Sequence, residues 1–211
     1  MKGKSYACRD RKENNLRPGD FYPTPRSLIW CAKDLFHSAI PTDRLITEPC
    51  CAGGSISLAL NDIGYGVIEN DLYSERKEIM HHDILTTNLD EWCSPNVVTN
   101  FPFSKWDACV MAFLSKQNFE NLITIGRLNY LSTQSRLKSP MWKHLKEIWC
   151  LSRYVDFRTE ERDDGQFFVG AMACGWFWFT KEEVEAPVIK FVDVQKFATL
   201  GNKEEQNGRR V

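Results

Sequence analysis

The stretch from Asn100 to Phe103 combines the residue types that can hold and stack a planar amino group. The carboxamide oxygen of Asn100 can accept a hydrogen bond from an NH2 group. Pro102 stiffens the loop and removes a competing N–H donor, and an aromatic side chain such as Phe103 can stack on a planar base. These four residues therefore predict a site that clamps an exocyclic amino group. The alternative interpretation is a plain strand end, turn and capped helix.

The residues on either side of this stretch predict the elements that position it. Val97, Val98 and Thr99 indicate a short buried strand. Residues 104–116 indicate a helix, with Ser104 as its N-cap. In an open α/β sheet, ligands bind just beyond the carboxyl ends of the strands. We therefore expect the stretch to lie at such an edge.

A strand–loop–helix–strand pattern precedes residues 100–103 and is typical of proteins that bind a nucleotide-like ligand. A strand is predicted at residues 44–47, a tight loop at 48–54, a helix at 55–61 and a second strand at 67–68. A glycine-containing loop between a strand and a helix lets backbone approach a ligand closely, and the helix N-terminus offers free N–H groups. An acid about 20 residues beyond the loop can bind ribose hydroxyls, and Asp71 is predicted in that role.

Taken together, these blocks resemble the gamma-type adenine-specific DNA methyltransferases that use S-adenosylmethionine, and most closely the small phage-type enzymes. The residues from Asn100 to Phe103 resemble their (Asn/Asp)-Pro-Pro-(Tyr/Phe) catalytic motif, and Glu48 to Gly54 is similar to their (Asp/Glu)-Pro-x-x-Gly-x-Gly cofactor loop. Tyr22 to Pro25 is similar to their N-terminal motif, which faces the methionine end of the cofactor. The resemblance covers roughly residues 20 to 180.

The resemblance implies a role for each matching residue. It implies that the cofactor S-adenosyl-L-methionine is held by Tyr22, Thr24, Pro25, Glu48, Pro49, Cys50, Ala52, Gly53, Gly54, Asp71 and Asp83. It implies that the catalytic residues are Asn100, Phe101, Pro102 and Phe103. Within that set, we expect Phe103 to stack on an extruded base and Phe101 to pack inward.

Two positions depart from the pattern of the family. Ala52 stands where the cofactor loop normally has its first Gly, and its methyl group is tolerated if its φ is negative. Phe101 stands where the catalytic motif normally has a Pro whose backbone carbonyl accepts the second amino hydrogen. Phe101 retains such a carbonyl group.

The resemblance also implies the fold and the domain organisation. We expect an α/β protein with the Rossmann-like class I methyltransferase fold, whose mainly parallel seven-stranded sheet has an antiparallel last strand. Residues 20–200 form its single domain, between a basic flexible arm at 1–19 and a polar tail at 201–211. Val188 to Val194 is expected to be a last strand or a strap.

Residues 127–162 interleave basic and aromatic side chains, a pattern that suits a flipped base and its phosphates. The predicted nucleic-acid contacts are Arg127, Arg136, Lys138 and Arg158. The alternative interpretation is that the basic side chains form a solvated surface and the aromatic side chains belong to the core. Net charge is −1, so the overall composition does not require a polyanionic partner.

The remaining composition gives expectations about compartment, membrane and metal. Eight cysteines without a C-x-x-C pair predict reduced thiols, a cytoplasmic protein and no zinc ribbon. No run of residues is long and apolar enough to predict a membrane span. His81 and His82 are adjacent and are predicted to point to opposite faces, so no metal is expected.

The reaction implied by the resemblance moves the methyl group of S-adenosylmethionine to the exocyclic amino group of adenine in DNA. Two alternatives stay open. The same fold could methylate an RNA base or a protein Gln amide, since the clamp suits any planar amino group. With Ala52 and Phe101 in place, the chain could instead be a catalytically degenerate nucleic-acid-binding or decoy protein.

Overall fold

The computed structural model describes residue 22 and residues 24–152 and 172–194. The predicted basic arm, the polar tail and Arg158 lie outside the described residues. Within them, the chain alternates strands and helices as the sequence pattern predicts, and one sheet organises the site.

Seven strands in the described ranges form a single sheet. They are β1 (Ile46–Glu48), β2 (Val67–Glu69), β3 (Asn96–Thr99), β4 (Asn121–Arg127), β5 (Leu145–Leu151), β6 (Cys174–Thr180) and β7 (Val188–Val192). Their order across the sheet is β2-β1-β3-β4-β6-β5-β7. β6 runs antiparallel to its neighbours β4 and β5, and every other neighbouring pair is parallel.

The predicted fold class is confirmed, with one correction in the position of the antiparallel strand. The antiparallel strand is β6, and the last strand β7 pairs in parallel with β5. The short connection at residues 181–187 reverses the chain, so β7 runs opposite to β6. Because β5 also runs opposite to β6, β7 is parallel to β5. The expected strand at the end of the domain is therefore present, in the other orientation.

Four α-helices lie in the described ranges: α1 (Ser27–Trp30), α2 (Lys33–Ala39), α3 (Ser55–Asp62) and α4 (Trp106–Leu114). Three 3-10 helices cover Leu89–Glu91, Leu128–Ser132 and Pro140–His144. Residues 31–32 separate α1 from α2. The predicted cap of α4 was wrong, because Lys105 and not Ser104 occupies its N-cap position.

An aromatic core holds α4 against the sheet. The Trp106 indole is fully buried and donates a hydrogen bond to the Ile125 carbonyl on β4, with nitrogen and oxygen 2.8 Å apart. Its ring meets the Phe177 ring of β6 edge to face, with centroids 5.4 Å apart. The sheet therefore fixes the start of α4, and with it the loop that carries Asn100. Trp176 and Phe179 of β6 are fully buried in the same core.

Candidate functional site

The two loops predicted to carry chemistry meet at one edge of the sheet. β1 and β3 are parallel neighbours, with Ile46 opposite Asn96 and Thr47 opposite Val97. Parallel strands end at the same edge. The loop that follows β1 and the loop from Asn100 that follows β3 therefore lie side by side, as the sequence predicts.

A cavity of about 120 Å³ opens between these loops. Its lining residues are Tyr22, Thr24, Glu48, Cys50, Cys51, Ala52, Gly53, Ser55, Ile56 and Asn100. All three predicted motifs therefore contribute to one space. Among the predicted cofactor-binding and catalytic residues, those that do not line the cavity are Pro25, Pro49, Gly54, Asp71, Asp83, Phe101, Pro102 and Phe103. Small-molecule sites usually measure about 300–1,000 Å³, so this cavity suits one end of an extended ligand.

The Asn100 side chain is held by its nitrogen and leaves its oxygen available. Nδ2 donates to the Tyr22 carbonyl oxygen at 3.1 Å and to Thr24 Oγ1 at 3.0 Å. Oδ1 is buried and has no hydrogen-bond partner among the described residues. An unsatisfied buried acceptor costs about 1–3 kcal/mol. The site is therefore complementary to a donor such as an amino group.

Glu48 ends β1 and places a carboxyl group in the wall of the cavity. It is 1% exposed and accepts a hydrogen bond from Ser57 Oγ on α3. Burial, aided by the nearby Glu69 carboxylate and opposed by the Ser57 hydrogen bond, raises the pKa of Glu48 to about 8. The group is therefore largely protonated at neutral pH. It would ionise on meeting a cation such as an ammonium group.

The loop between β1 and α3 contains two residues with left-handed backbone. Ala52 has φ +48° and Gly54 has φ +83°. Because the φ of Ala52 is positive, the condition under which its methyl group is tolerated without strain is not met. A Cβ at Gly54 would lie 2.9 Å from Arg76 Nη1. Gly53 has open space on its Cβ side, so a ligand can approach its backbone closely.

Ala52→Gly is expected to stabilise the protein by about 1 kcal/mol, because an L-residue in left-handed backbone carries a strain that glycine lacks. Chemical denaturation measures the effect. Ala108→Gly is the matched control: Ala108 is exposed within α4, where glycine costs about 1 kcal/mol. Destabilisation of similar size in both variants would contradict a strained Ala52.

Asp71 supports the loop between β1 and α3. Its Oδ2 accepts a hydrogen bond from the Ala52 N–H at 2.8 Å, and its Oδ1 accepts one from the Tyr73 N–H at 2.9 Å. Both oxygens therefore already bind backbone donors. The predicted ribose role of Asp71 stays a prediction, and this structure gives the residue a second role in shaping the loop.

The last residue of β2 is Glu69, which sequence reasoning missed. Its two oxygens accept hydrogen bonds from the Arg76 guanidinium at 2.9 and 2.7 Å. This pair lies directly beside the Gly54 backbone. The available signal was the position of Glu69, which follows the two apolar residues of β2 without an intervening residue. Glu69 is thus a further acid at the carboxyl edge.

Asn70 is the second residue that sequence reasoning missed. It is fully buried, and its Nδ2 donates to the carbonyl oxygens of Pro49 and His82, each at 3.0 Å. Its Oδ1 accepts from the His82 N–H at 2.7 Å. Asn70 therefore ties the cofactor loop to the segment that carries Asp83. Asp83 itself is half-buried and accepts from the Leu85 N–H at 2.9 Å.

The two aromatic rings of the catalytic stretch have different environments. Phe101 packs inward as expected, 1% exposed and stacked on Phe113 with centroids 5.6 Å apart. Phe103 is 5% exposed, with the Tyr22 ring centroid at 4.8 Å and the Arg127 guanidinium 4.5 Å from its own centroid. The expected open stacking face on Phe103 is therefore absent in this structure, because those two side chains cover the ring.

The basic residues predicted to contact nucleic acid differ in their surroundings. Arg136 Nε donates to both oxygens of Asp107, at 2.8 and 2.7 Å, and its guanidinium lies over the Tyr130 ring. Arg127 lies over Phe103. Lys138 is exposed. Arg136 thus connects the segment after β4 to α4, Arg127 covers Phe103 in the loop after β3, and Lys138 is exposed to solvent.

The cysteines of the described ranges are free thiols. Burial raises the pKa of Cys51, Cys93, Cys109 and Cys174 to about 12. These thiols stay protonated at neutral pH, and a protonated thiol is a poor nucleophile.

A search of the described residues for metal-binding groups found no cluster of three or more His, Cys, Asp and Glu side chains. No helix in these ranges is long and apolar enough to cross a membrane.

Comparisons with known proteins show which solved structures have a similar architecture. No protein-family profile matches the chain, and no curated protein matches its sequence significantly. Among solved structures, it is similar to the methyltransferase subunit of a type I restriction-modification system from Streptococcus thermophilus, with TM-score 0.56 and 9% identity over 91% of this chain. That match covers 53% of the subunit, so the chain spans about half of its length.

Two further structures show the same likeness. A Listeria monocytogenes protein assigned to the class I S-adenosylmethionine-dependent methyltransferases has TM-score 0.54 and 12% identity, over 88% of this chain and 71% of its own. A protein from Pyrococcus horikoshii assigned as an RNA methyltransferase has TM-score 0.51 and 13% identity, over 74% of this chain and 81% of its own. The chain thus has the Rossmann-like fold of the class I S-adenosylmethionine-dependent methyltransferases.

Proposed function

We propose that this protein transfers the methyl group of S-adenosylmethionine to the exocyclic amino group of adenine in DNA. The observation that carries the proposal is the buried, unpaired Oδ1 of Asn100 beside the cavity of the cofactor loop. A hydrogen-bond acceptor held in this way lacks a donor, and an exocyclic amino group supplies one. The resemblance of the surrounding residues to the adenine-specific catalytic motif points to the same chemistry.

The residues around the cavity fit the cofactor. When bound, S-adenosylmethionine supplies an electrophilic methyl group at its sulfonium centre. The Glu48 carboxyl would pair with the ammonium group at the methionine end, and the open backbone at Gly53 would permit close approach. Glu69 and Asp71 are the acids for the ribose hydroxyls. Arg76 donates to both Glu69 oxygens in this structure, and each oxygen keeps a second lone pair that can accept from a hydroxyl.

In the reaction, Asn100 Oδ1 accepts one hydrogen of the target amino group, and the Phe101 carbonyl accepts the other. These two acceptors turn the nitrogen lone pair toward the methyl group and align the reacting atoms. They also stabilise the positive charge that develops on the nitrogen. A neutral carboxamide cannot take the proton that the nitrogen finally loses, so this proton passes to water.

DNA is the preferred substrate for two reasons. The catalytic stretch resembles the adenine-specific DNA enzymes, and the Streptococcus neighbour is described as part of a restriction-modification system. Lys138 offers an exposed cation to phosphate beyond β4.

A base must leave the duplex to reach Asn100, and stacking on Phe103 requires Tyr22 or Arg127 to move aside. The Pyrococcus neighbour, assigned as an RNA methyltransferase, keeps RNA as the second candidate.

A cofactor titration followed by a transfer assay tests the proposal. Calorimetry with S-adenosylmethionine should show binding at one site. Tritiated-methyl transfer to unmethylated DNA should then exceed transfer to RNA and to protein, and nucleoside analysis should give N6-methyladenine. Preferred labelling of RNA or of a protein Gln would show that this molecule, and not DNA, is the substrate. Cofactor binding without any transfer would favour the degenerate binding protein, and absence of binding would overturn the proposal.

A further inference from the structure

We propose that Thr24 is a positioning residue, which orients the Asn100 amide for the incoming amino group, and that Ser55 links this orientation to the cofactor loop. The inference rests on the proposed function for the identity of the amino group. The orientation itself rests on the contacts of three side chains around one cavity.

The contacts form a continuous chain of hydrogen bonds. Ser55 Oγ donates to the Thr24 carbonyl oxygen at 2.6 Å, and Thr24 Oγ1 accepts from Asn100 Nδ2 at 3.0 Å. Thr24 is 5% exposed, so water does not readily replace its hydroxyl in this contact. Ser55 is the first residue of α3, directly after the cofactor loop. The start of α3 and the amino clamp are therefore connected through Thr24.

The hydrogen-bonding capacity of the neighbouring groups decides which way the Asn100 amide points. The Tyr22 carbonyl oxygen can only accept, so it requires the nitrogen of Asn100 at its edge of the amide. Thr24 Oγ1 holds the same nitrogen from a second direction. A flipped amide would bring Oδ1 against the Tyr22 oxygen and turn two donors toward the substrate. The Tyr22 carbonyl therefore sets the direction of the amide, and the second bond, to Thr24 Oγ1, holds Oδ1 in place on the side where it has no partner among the described groups.

This arrangement separates the role of Thr24 from that of a cofactor contact. If Thr24 only held the cofactor, its loss would weaken cofactor binding and leave the transfer step intact. If it orients Asn100, its loss would reduce the transfer step while cofactor affinity largely survives. The matched variant is Thr24→Val, which keeps the shape of the side chain and removes the hydroxyl.

The kinetic test compares Thr24→Val with a rescue and a control. We expect kcat to fall about tenfold in Thr24→Val, with the cofactor Kd unchanged within about twofold. Thr24→Ser restores the acceptor and should restore most of kcat. Thr99→Val is the control, because Thr99 Oγ1 is buried without a hydrogen-bond partner among the described residues. A weakened cofactor Kd with unchanged kcat, or a failure of Thr24→Ser to rescue, would overturn the positioning role.

A second measurement does not depend on activity. The side-chain amide signals of Asn100, identified by their loss in Asn100→Ala, report its hydrogen bonds by NMR. Hydrogen exchange at this amide should be several-fold faster in Thr24→Val than in wild type, Thr24→Ser or Thr99→Val. Equal exchange in Thr24→Val and wild type would overturn the inference even if methyl transfer is observed. Absence of transfer in wild type, with the exchange difference present, would overturn the proposed function alone.

Discussion

Asn100→Ala is expected to lower the rate of methyl transfer by ~10²–10³-fold, the usual cost of one well-placed transition-state contact. The side chain provides the acceptor for the amino group and is itself anchored by the Tyr22 carbonyl and Thr24. Because the residues proposed to bind the methionine end of the cofactor lie mainly in the loop after β1, cofactor binding should survive. Single-turnover transfer and calorimetry on the same preparation measure the two effects.

Asn118→Ala is the control for that variant. Asn118 is exposed and lies beyond α4, so removing its carboxamide should leave transfer at the wild-type rate. If Asn100→Ala also transfers methyl groups at that rate, the assignment of Asn100 as the amino clamp is wrong. Loss of cofactor binding in Asn100→Ala would instead show that the cavity collapses without its anchor.

The stability of the protein is expected to fall as pH rises from about 5 to 9, because of Glu48. Burial raises the pKa of this group from 4.5 to about 8 in the folded protein. The folded state therefore binds the proton more tightly than the unfolded state. The stabilisation is complete below pH 4.5 and is lost progressively as pH rises through 8. One pKa unit corresponds to about 1.4 kcal/mol, so the total is on the order of a few kcal/mol.

Urea denaturation at several pH values measures this loss. Glu48→Gln keeps a neutral acceptor for Ser57 Oγ and cannot ionise, so its unfolding free energy should change much less between pH 5 and 9. Glu75→Gln removes a charge from an exposed position and should keep the wild-type pH dependence. Parallel curves for wild type and Glu48→Gln would show that another group controls the slope.

The position of the site was predictable because it follows from simple patterns. A β-branched run followed at once by Asn100 indicates a strand end, and the glycine loop after Glu48 indicates another. Parallel pairing of β1 and β3 then brings the two loops together without any further information. Phe101 stands where the family has a Pro, and its side chain packs inward, as predicted, at a buried position.

The parts that were missed depend on contacts between residues distant in sequence. The left-handed Ala52 is held by a hydrogen bond to Asp71, 19 positions away. Phe103 is covered by Tyr22 and Arg127, which come from other elements. No local pattern encodes such contacts. Likewise, β7 pairs in parallel because the chain crosses from β6 to the far side of β5, a position that no local pattern encodes.

The buried thiols can report which parts of this molecule open to solvent. Cys51 lies in the cofactor loop, Cys93 precedes β3, Cys109 lies on α4 and Cys174 begins β6. A protonated, buried thiol reacts with an alkylating reagent only when its surroundings open. Mass spectrometry of the alkylated peptides would therefore show in which order the loop, the helix and the two regions of the sheet become accessible to solvent.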